Sequence, residues 1–146
     1  MAPAYIGGGC GLIRGGVDLL LIETSQDILE VKAAIIGCHR AMDETQVFLP
    51  IQAQVTLDTT GRMLLGTDII ASLAILEGMG IDIIGLNCST GPEHMREPIR
   101  ILEEASRGVL LGKDTFTHGK LDAPTIEATL KALEGFRRIL EGYGVS

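Results

Sequence analysis

The sequence has few cysteines, few aromatic residues and no apolar run of membrane-spanning length. It contains no tryptophan, and its three cysteines, Cys10, Cys38 and Cys88, show no pairing pattern. This cysteine content argues against a disulfide scaffold and favours a reducing cytoplasm. The N-terminus has no basic region followed by an apolar core, so we expect no export signal, and the lack of a long apolar run predicts no membrane anchor.

Positive charge is also scarce in this chain. The 146 residues include 12 lysines and arginines against 19 aspartates and glutamates, and the formal net charge is −7. A charge of this sign opposes binding to nucleic acid or to an anionic membrane surface, so we expect neither as a partner. A hydrophobic content of 46% with 21% charged residues predicts a soluble globular domain.

Three apolar runs in the chain each end on polar side chains. The runs are VDLLLIE (17–23) with Glu23, PIQAQVTLD (50–58) with Asp58, and IDIIGLNCSTGP (81–92) with Asn87 and Cys88. Nearly continuous apolar runs are typical of strands buried in a parallel sheet. The carboxyl ends of parallel strands meet at one edge, where α/β proteins place their chemistry. We therefore expect these four polar residues at one rim.

Helical patterns separate the three runs. Thr24 and Asp27 are candidate caps for a helix over about residues 25–39. Thr67 and Asp68 are candidate caps for a second helix, which Gly80 ends. A third helix follows residue 92, and Pro98 predicts a kink or a restart within it. Strand and helix alternate at intervals of about thirty residues, and this alternation predicts parallel βα units.

Three segments carry a family resemblance. They are LLLIETSQDILEVKAA (19–34), TLDTTGRMLLGTD (56–68) and GLNCSTGPEHM (85–95). Together they resemble the homocysteine-binding domain of cobalamin-dependent methionine synthase, a (βα)8-barrel methyltransferase module that would act in methionine biosynthesis. The resemblance covers about residues 11–105. A complete barrel needs about 200 residues or more, so we expect a partial TIM-type barrel of about three parallel βα units, with a further strand and a C-terminal helix.

The resemblance also implies roles for the rim residues. It makes Cys88 one of three thiolates that hold a catalytic zinc, and it makes Glu23 the group that binds the amino group of homocysteine. Asn87 would shape the substrate site, and we include Asp58 among the substrate-binding residues because it ends a strand at the same rim. Zinc with thiolate ligands binds a thiol as the thiolate, which can then attack a methyl group. The chain has no cobalamin-binding motif, so a partner domain or protein would supply that cofactor.

The zinc site predicted in this way lacks two ligands. In the family they form an adjacent Cys-Cys pair, and this sequence has no such pair. Cys38 lies on an apolar stripe at helical spacing, which predicts core packing, and Cys10 lies in a GGGCG turn. His94 is near Cys88 in sequence, but the family's site does not use it. We therefore expect an incomplete zinc site, and the alternative for Cys88 is a small buried side chain.

The two ends of the chain differ from its middle. Residues 1–16 form a glycine-rich segment, for which we expect either flexible chain or a short helix near Leu12. Residues 17–105 form the partial homocysteine-binding barrel. Residues 106–146 predict one strand and one helix, and they resemble a short piece from the N-terminal region of exopolyphosphatase and guanosine pentaphosphate phosphatase.

Two functions of different classes follow from these features. The first is a fragment of a homocysteine S-methyltransferase that binds homocysteine and activates its thiol on zinc, and that is inactive alone. The alternative is a non-catalytic α/β fragment or chimera that self-associates as a homo-oligomer, because an open partial barrel exposes strand edges and an apolar inner face. A third possibility is phosphate-ester or polyphosphate binding through residues 106–146.

Overall fold

The computed structural model describes residues 2–88, 92–105 and 109–112, together with residues 134, 137, 138, 141 and 142, which are helical. The rest of the predicted C-terminal helix lies outside the described residues. The elements in chain order are α1 (Ala2–Arg14), β1 (Leu20–Ser25), α2 (Ile28–Thr45), β2 (Ile51–Val55), α3 (Ile69–Gly78), β3 (Ile83–Leu86), α4 (Pro92–Ala105) and β4 (Val109–Gly112). No helix in the described part of the chain is long and apolar enough to cross a membrane.

The four strands form one parallel sheet in the order β1-β2-β3-β4. One helix connects each strand to the next, so that β1–α2, β2–α3 and β3–α4 are three successive βα units. Strand β4 follows the third unit and pairs with β3. The prediction of an α/β fold with about three parallel βα units and a further strand is therefore confirmed, and the arrangement is that of a partial (βα)8 barrel.

The sheet has two faces of different character. On the first face, Ile22, Ala53 and Ile84 belong to one hydrophobic cluster with buried side chains of α2, α3 and α4. The second face carries the alternate residues of each strand, since side chains alternate along a strand. Its members are Leu21, Glu23, Gln52, Gln54, Ile83 and Gly85. The second face thus combines apolar residues with carboxylate and amide groups.

The N-terminal segment is a 13-residue helix, so the expectation of flexible chain is wrong, and the helix expected near Leu12 is present but begins at Ala2. The reason is tertiary contact between α1 and α2. A Cβ atom added at Gly37 of α2 would overlap the Cβ of Tyr5, and one added at Gly9 of α1 would lie 2.8 Å from the Cβ of Ala41. The helices approach closely through these two glycines, and this packing outweighs the low helix propensity of the glycine-rich segment.

We expect Gly37→Ala to lower the free energy of unfolding by about 2 kcal/mol, because the added methyl group would push α1 away from α2. The matched control is Gly8→Ala in α1, where nothing lies within 4 Å of an added Cβ. Alanine is the better helix former, so this control should raise the free energy of unfolding by about 0.5–1 kcal/mol. Urea denaturation measures both changes. Equal effects of the two variants would contradict the close helix contact.

The helix caps are partly as predicted. The Asp27 side chain accepts a hydrogen bond from the Leu29 N–H at 2.9 Å and begins α2. Asp68 accepts from the Ala71 N–H at 2.9 Å and begins α3. The prediction of Thr24 as a cap is wrong because Thr24 lies within β1.

Two further boundaries differ from the predicted ones. Strand β1 begins at Leu20 and continues past Glu23 to Ser25. Helix α4 runs without interruption through Pro98, which lies inside it, so the predicted restart is wrong. Pro98 is the seventh residue of α4, beyond the first four positions whose N–H groups have no partner within the helix, so its missing N–H leaves the His94 carbonyl without its helical donor.

Candidate functional site

Asn87 joins the ends of β1 and β3. It follows β3 directly and is buried, with 1% of its surface exposed. Its Nδ2 atom donates to Thr24 Oγ1 at 2.6 Å and lies 3.5 Å from Glu23 Oε1. Both of these partners belong to β1. A buried amide with such partners holds the carboxyl ends of two strands that are not adjacent in the sheet.

The end of β2 also forms hydrogen bonds with Asn87. The Asn87 backbone N–H donates to the Val55 carbonyl at 3.3 Å. The Thr56 hydroxyl lies just after β2, and it is 3.0 Å from the Asn87 carbonyl oxygen and 3.3 Å from Asn87 Oδ1. The ends of β1, β2 and β3 therefore meet at Asn87.

Cys88 extends this cluster toward solvent. The residue is partly exposed, and its Sγ atom lies 3.5 Å from Asn87 Nδ2 and 3.9 Å from Thr24 Oγ1. Cys88 and Thr24 both have a positive φ, of 61° and 60°. This conformation is uncommon for residues other than glycine and costs about 1–2 kcal/mol. Such strain clusters at functional sites, where the surrounding structure maintains it.

A β-bulge in β1 positions Thr24. Ile22 is opposite Ala53 and Ser25 is opposite Val55, so two residues of β1 face one residue of β2. The bulge changes the direction of the strand and turns the Thr24 hydroxyl toward Asn87. Sequence reasoning missed Thr24 as a site residue, because nothing in the local pattern of apolar residues shows a change of register.

Asp58 makes its hydrogen bonds within its own loop. Its Oδ1 atom accepts from the Thr60 N–H at 2.8 Å, from the Thr60 hydroxyl at 2.6 Å and from the Arg62 N–H at 3.2 Å. The Thr60 hydroxyl, followed by the backbone donors, lowers the pKa of this exposed carboxyl below its usual value. The structure thus brings Glu23, Asn87 and Cys88 together, whereas the described hydrogen bonds of Asp58 stabilise the loop after β2.

A pocket lies beside Cys88. Most of its lining is apolar, with a thiol, an amide and an imidazole among the lining groups. The residues are Leu57, Leu86, Asn87, Cys88, His94, Met95 and Pro98. Its cavity volume is about 10 Å³, which is room for about one water molecule.

The other two cysteines do not join Cys88. Cys10 is buried, and its Sγ atom lies 3.5 Å from Glu44 Oε2 on α2. Cys38 is buried in the core, as its helical stripe predicts. Burial raises the pKa of both thiols, and the Glu44 carboxylate adds to the effect at Cys10. A neutral thiol is a poor metal ligand because the thiolate is the form that coordinates.

The ligand set for zinc is incomplete in the described part of the chain. No group of three His, Cys, Asp or Glu side chains that could hold a metal ion occurs among these residues. Asn87 and Thr24, whose polar atoms lie within 4 Å of the Cys88 sulfur, carry neutral amide and hydroxyl groups, which zinc sites in proteins rarely use. The residues present therefore do not fit a complete zinc site.

Comparison with known proteins places these residues in a family. The homocysteine S-methyltransferase model matches residues 4–135, and this range extends past residue 105, where the sequence resemblance was expected to end. The methionine synthases of Mycobacterium leprae (strain TN) and Mycobacterium tuberculosis (strain ATCC 25618 / H37Rv) are each 47% identical to this chain over 104 residues. That alignment covers 71% of the chain and 9% of each relative, so the chain spans a small part of these proteins.

Proposed function

The chain belongs to the homocysteine S-methyltransferase family, and we propose that the cluster around Asn87 is the homocysteine-binding part of a methionine synthase module. The cluster of Glu23, Asn87 and Cys88 at the strand ends is the observation that carries this proposal. It offers a carboxylate that can pair with the ammonium group of homocysteine. It also offers a cysteine sulfur that can bind the zinc to which the thiol of the same molecule binds. Asn87 lies within 3.5 Å of both groups, so it fixes their separation.

Each residue has a distinct part in the proposed binding. The exposed Glu23 carboxylate pairs with the ammonium group of homocysteine, and the Asn87 amide orients that carboxylate. The methylene chain of the substrate spans the rim between Glu23 and Cys88, beside Asn87. Asp58 is a second exposed carboxylate, and the Thr60 hydroxyl lowers its pKa. Because three donors already occupy its Oδ1 atom, Asp58 would contact the substrate through Oδ2.

Both proposed cofactors, zinc and cobalamin, need groups that this chain does not supply. Cys88 supplies one thiolate ligand for zinc, and the remaining ligands come from a second copy or from another part of a longer protein. Cobalamin is bound by a partner domain or protein, and the chain is inactive alone. We also propose a cytoplasmic location, which is supported by three cysteines that form no disulfide.

Self-association is a second candidate function, and one observation favours it. Leu21 lies on the second face of β1, the strand at one end of the sheet order, and 42% of its surface is exposed. A strand with an exposed apolar residue at the end of a sheet is a template for pairing with another chain. Self-association of the chain without zinc and without homocysteine binding would favour this second function.

The test of the first function is calorimetric titration of the reduced chain with L-homocysteine and with zinc, using Cys88→Ser. We expect the wild type to bind homocysteine, and to bind zinc where a second copy of the chain completes the ligand set. The variant should bind zinc at least tenfold more weakly because it loses a sulfur ligand. Its melting temperature should change by no more than about 2 °C, since Cys88 lies at the rim and not in the core.

The matched control is Cys38→Ala, which removes a buried sulfur from the core. It should lower the melting temperature and leave zinc affinity unchanged. Unchanged zinc content in Cys88→Ser, together with a large fall in its melting temperature, would make Cys88 a packing residue. Absence of homocysteine binding in the wild type would reject the proposed function.

A further inference from the structure

The Gln54 side chain is buried without a hydrogen-bond partner. It is 0% exposed, and neither Nε2 nor Oε1 has a partner among the described residues. A buried amide loses its bonds to water, and leaving both atoms unsatisfied is costly and rare in folded proteins. An apolar residue would fill this position at lower cost, so the amide points to a ligand that satisfies it.

The position of Gln54 in the sheet identifies where that ligand lies. Gln54 is the second-to-last residue of β2, and the bulge of β1 places Glu23 and Thr24 opposite it. Glu23 lies on the second face together with Gln54, and neighbouring strands are about 4.8 Å apart. On the other side, Gln54 is paired with Gly85, which has no side chain. The row therefore consists of a carboxylate, an amide and a glycine.

The amide and the carboxylate together match an α-amino acid. Such a molecule carries an ammonium group and a carboxylate on one carbon atom. Glu23 can accept a hydrogen bond only from the ammonium group, whereas the Gln54 amide has one donor group and one acceptor side by side. We infer that Gln54 is a substrate-binding residue: its Nε2 donates to the carboxylate of homocysteine, and its Oε1 accepts from the ammonium group. This inference rests on the proposed function.

The burial of Gln54 gives this contact its selectivity. Glu23 is exposed at the rim, so a head group that reaches Glu23 lies next to Gln54, and the amide turns toward it. A thiol that lacks the carboxylate would leave the Nε2 donor unsatisfied in a buried site. A site built to bond a polar group discriminates strongly against analogues that lack it. Gln54 therefore selects α-amino acids over simpler amino thiols.

The test compares two ligands on Gln54→Met, which keeps the side-chain length and removes the amide. The ligands are L-homocysteine and 3-mercaptopropylamine, which has the same thiol and ammonium groups but no carboxylate. We expect the wild type to prefer homocysteine at least tenfold, and we expect the variant to lose this preference while its affinity for 3-mercaptopropylamine stays within twofold. Its melting temperature should rise by about 4 °C, because an unsatisfied buried amide is removed.

The matched control is Gln52→Met on the same strand and face. Gln52 is 6% exposed and lies in the row of Leu21 and Ile83, farther from the strand ends, so the ligand preference should not change. If the wild type binds homocysteine and Gln54→Met keeps the preference, the inference about Gln54 is wrong and the proposed function stands. A fall in melting temperature with equal loss of both ligands would make the amide structural and overturn the inference. Failure of the wild type to bind homocysteine would overturn both.

Discussion

Ile83→Asp is expected to abolish folding of the chain. Ile83 is 0% exposed in β3, which lies between β2 and β4. It is opposite Gln52 on one side and Val109 on the other, so the described partners offer no cation for a carboxylate. A buried, unpaired carboxyl group must stay charged or take up a proton and remain without hydrogen bonds, and either state costs several kcal/mol of the about 5–15 kcal/mol that typically separates folded from unfolded domains. Far-UV circular dichroism and a thermal scan of the purified variant measure the loss.

The matched control is Leu21→Asp, in the same row of the sheet. Leu21 is opposite Gln52, as Ile83 is, and both lie on the second face. Leu21 is 42% exposed on a strand at the end of the sheet order, so its carboxylate stays in water and should cost less than about 1 kcal/mol. A soluble Ile83→Asp variant with a cooperative melting transition would show that β3 is not an interior strand.

The strands and caps of the fold were predictable because their signals are local. A nearly continuous apolar run indicates a buried parallel strand, and the runs at β2 and β3 contain the observed strands. Asp27 and Asp68 cap helices by bonding N–H groups two or three residues away. Helix α1 was not predictable in this way, because the contact that stabilises it joins Gly37 to Tyr5, which is 32 residues away in the sequence (37 − 5).

The candidate site shows the same division between local and tertiary signals. Glu23, Asn87 and Cys88 were expected at one rim because each is at the end of an apolar run, and the structure brings them together. Thr24 and Gln54 were not found. The role of Thr24 depends on a bulge between two strands, and the unsatisfied amide of Gln54 becomes visible only when the burial of the whole sheet is known. Register and burial are properties of the assembled sheet.

Asn87→Leu is expected to lower the free energy of unfolding by about 3 kcal/mol and to weaken homocysteine binding at least tenfold. Leucine has nearly the same shape, so the loss would come from hydrogen bonds. The Thr24 hydroxyl would lose its donor at 2.6 Å, and Thr56 would keep only the backbone carbonyl of residue 87 as its partner. Each lost hydrogen bond contributes about 0.5–1.5 kcal/mol, and the substitution removes those to Thr24, Glu23 and Thr56. Urea denaturation and calorimetry measure the two effects separately.

A double-mutant cycle separates the Asn87–Thr24 bond from general packing. Thr24→Val keeps the side-chain shape and removes the hydroxyl, so each single variant breaks the same bond. If the Asn87–Thr24 hydrogen bond stabilises the strand ends, the losses of stability in the two single variants are not additive in the double variant. The coupling energy is then about 1 kcal/mol or more. Additive losses would show that Asn87 acts through packing. Thr24 and Cys88 have positive-φ conformations beside this bond, so we expect its loss to let both residues relax, and the chemical shifts of these two backbone amides report that change.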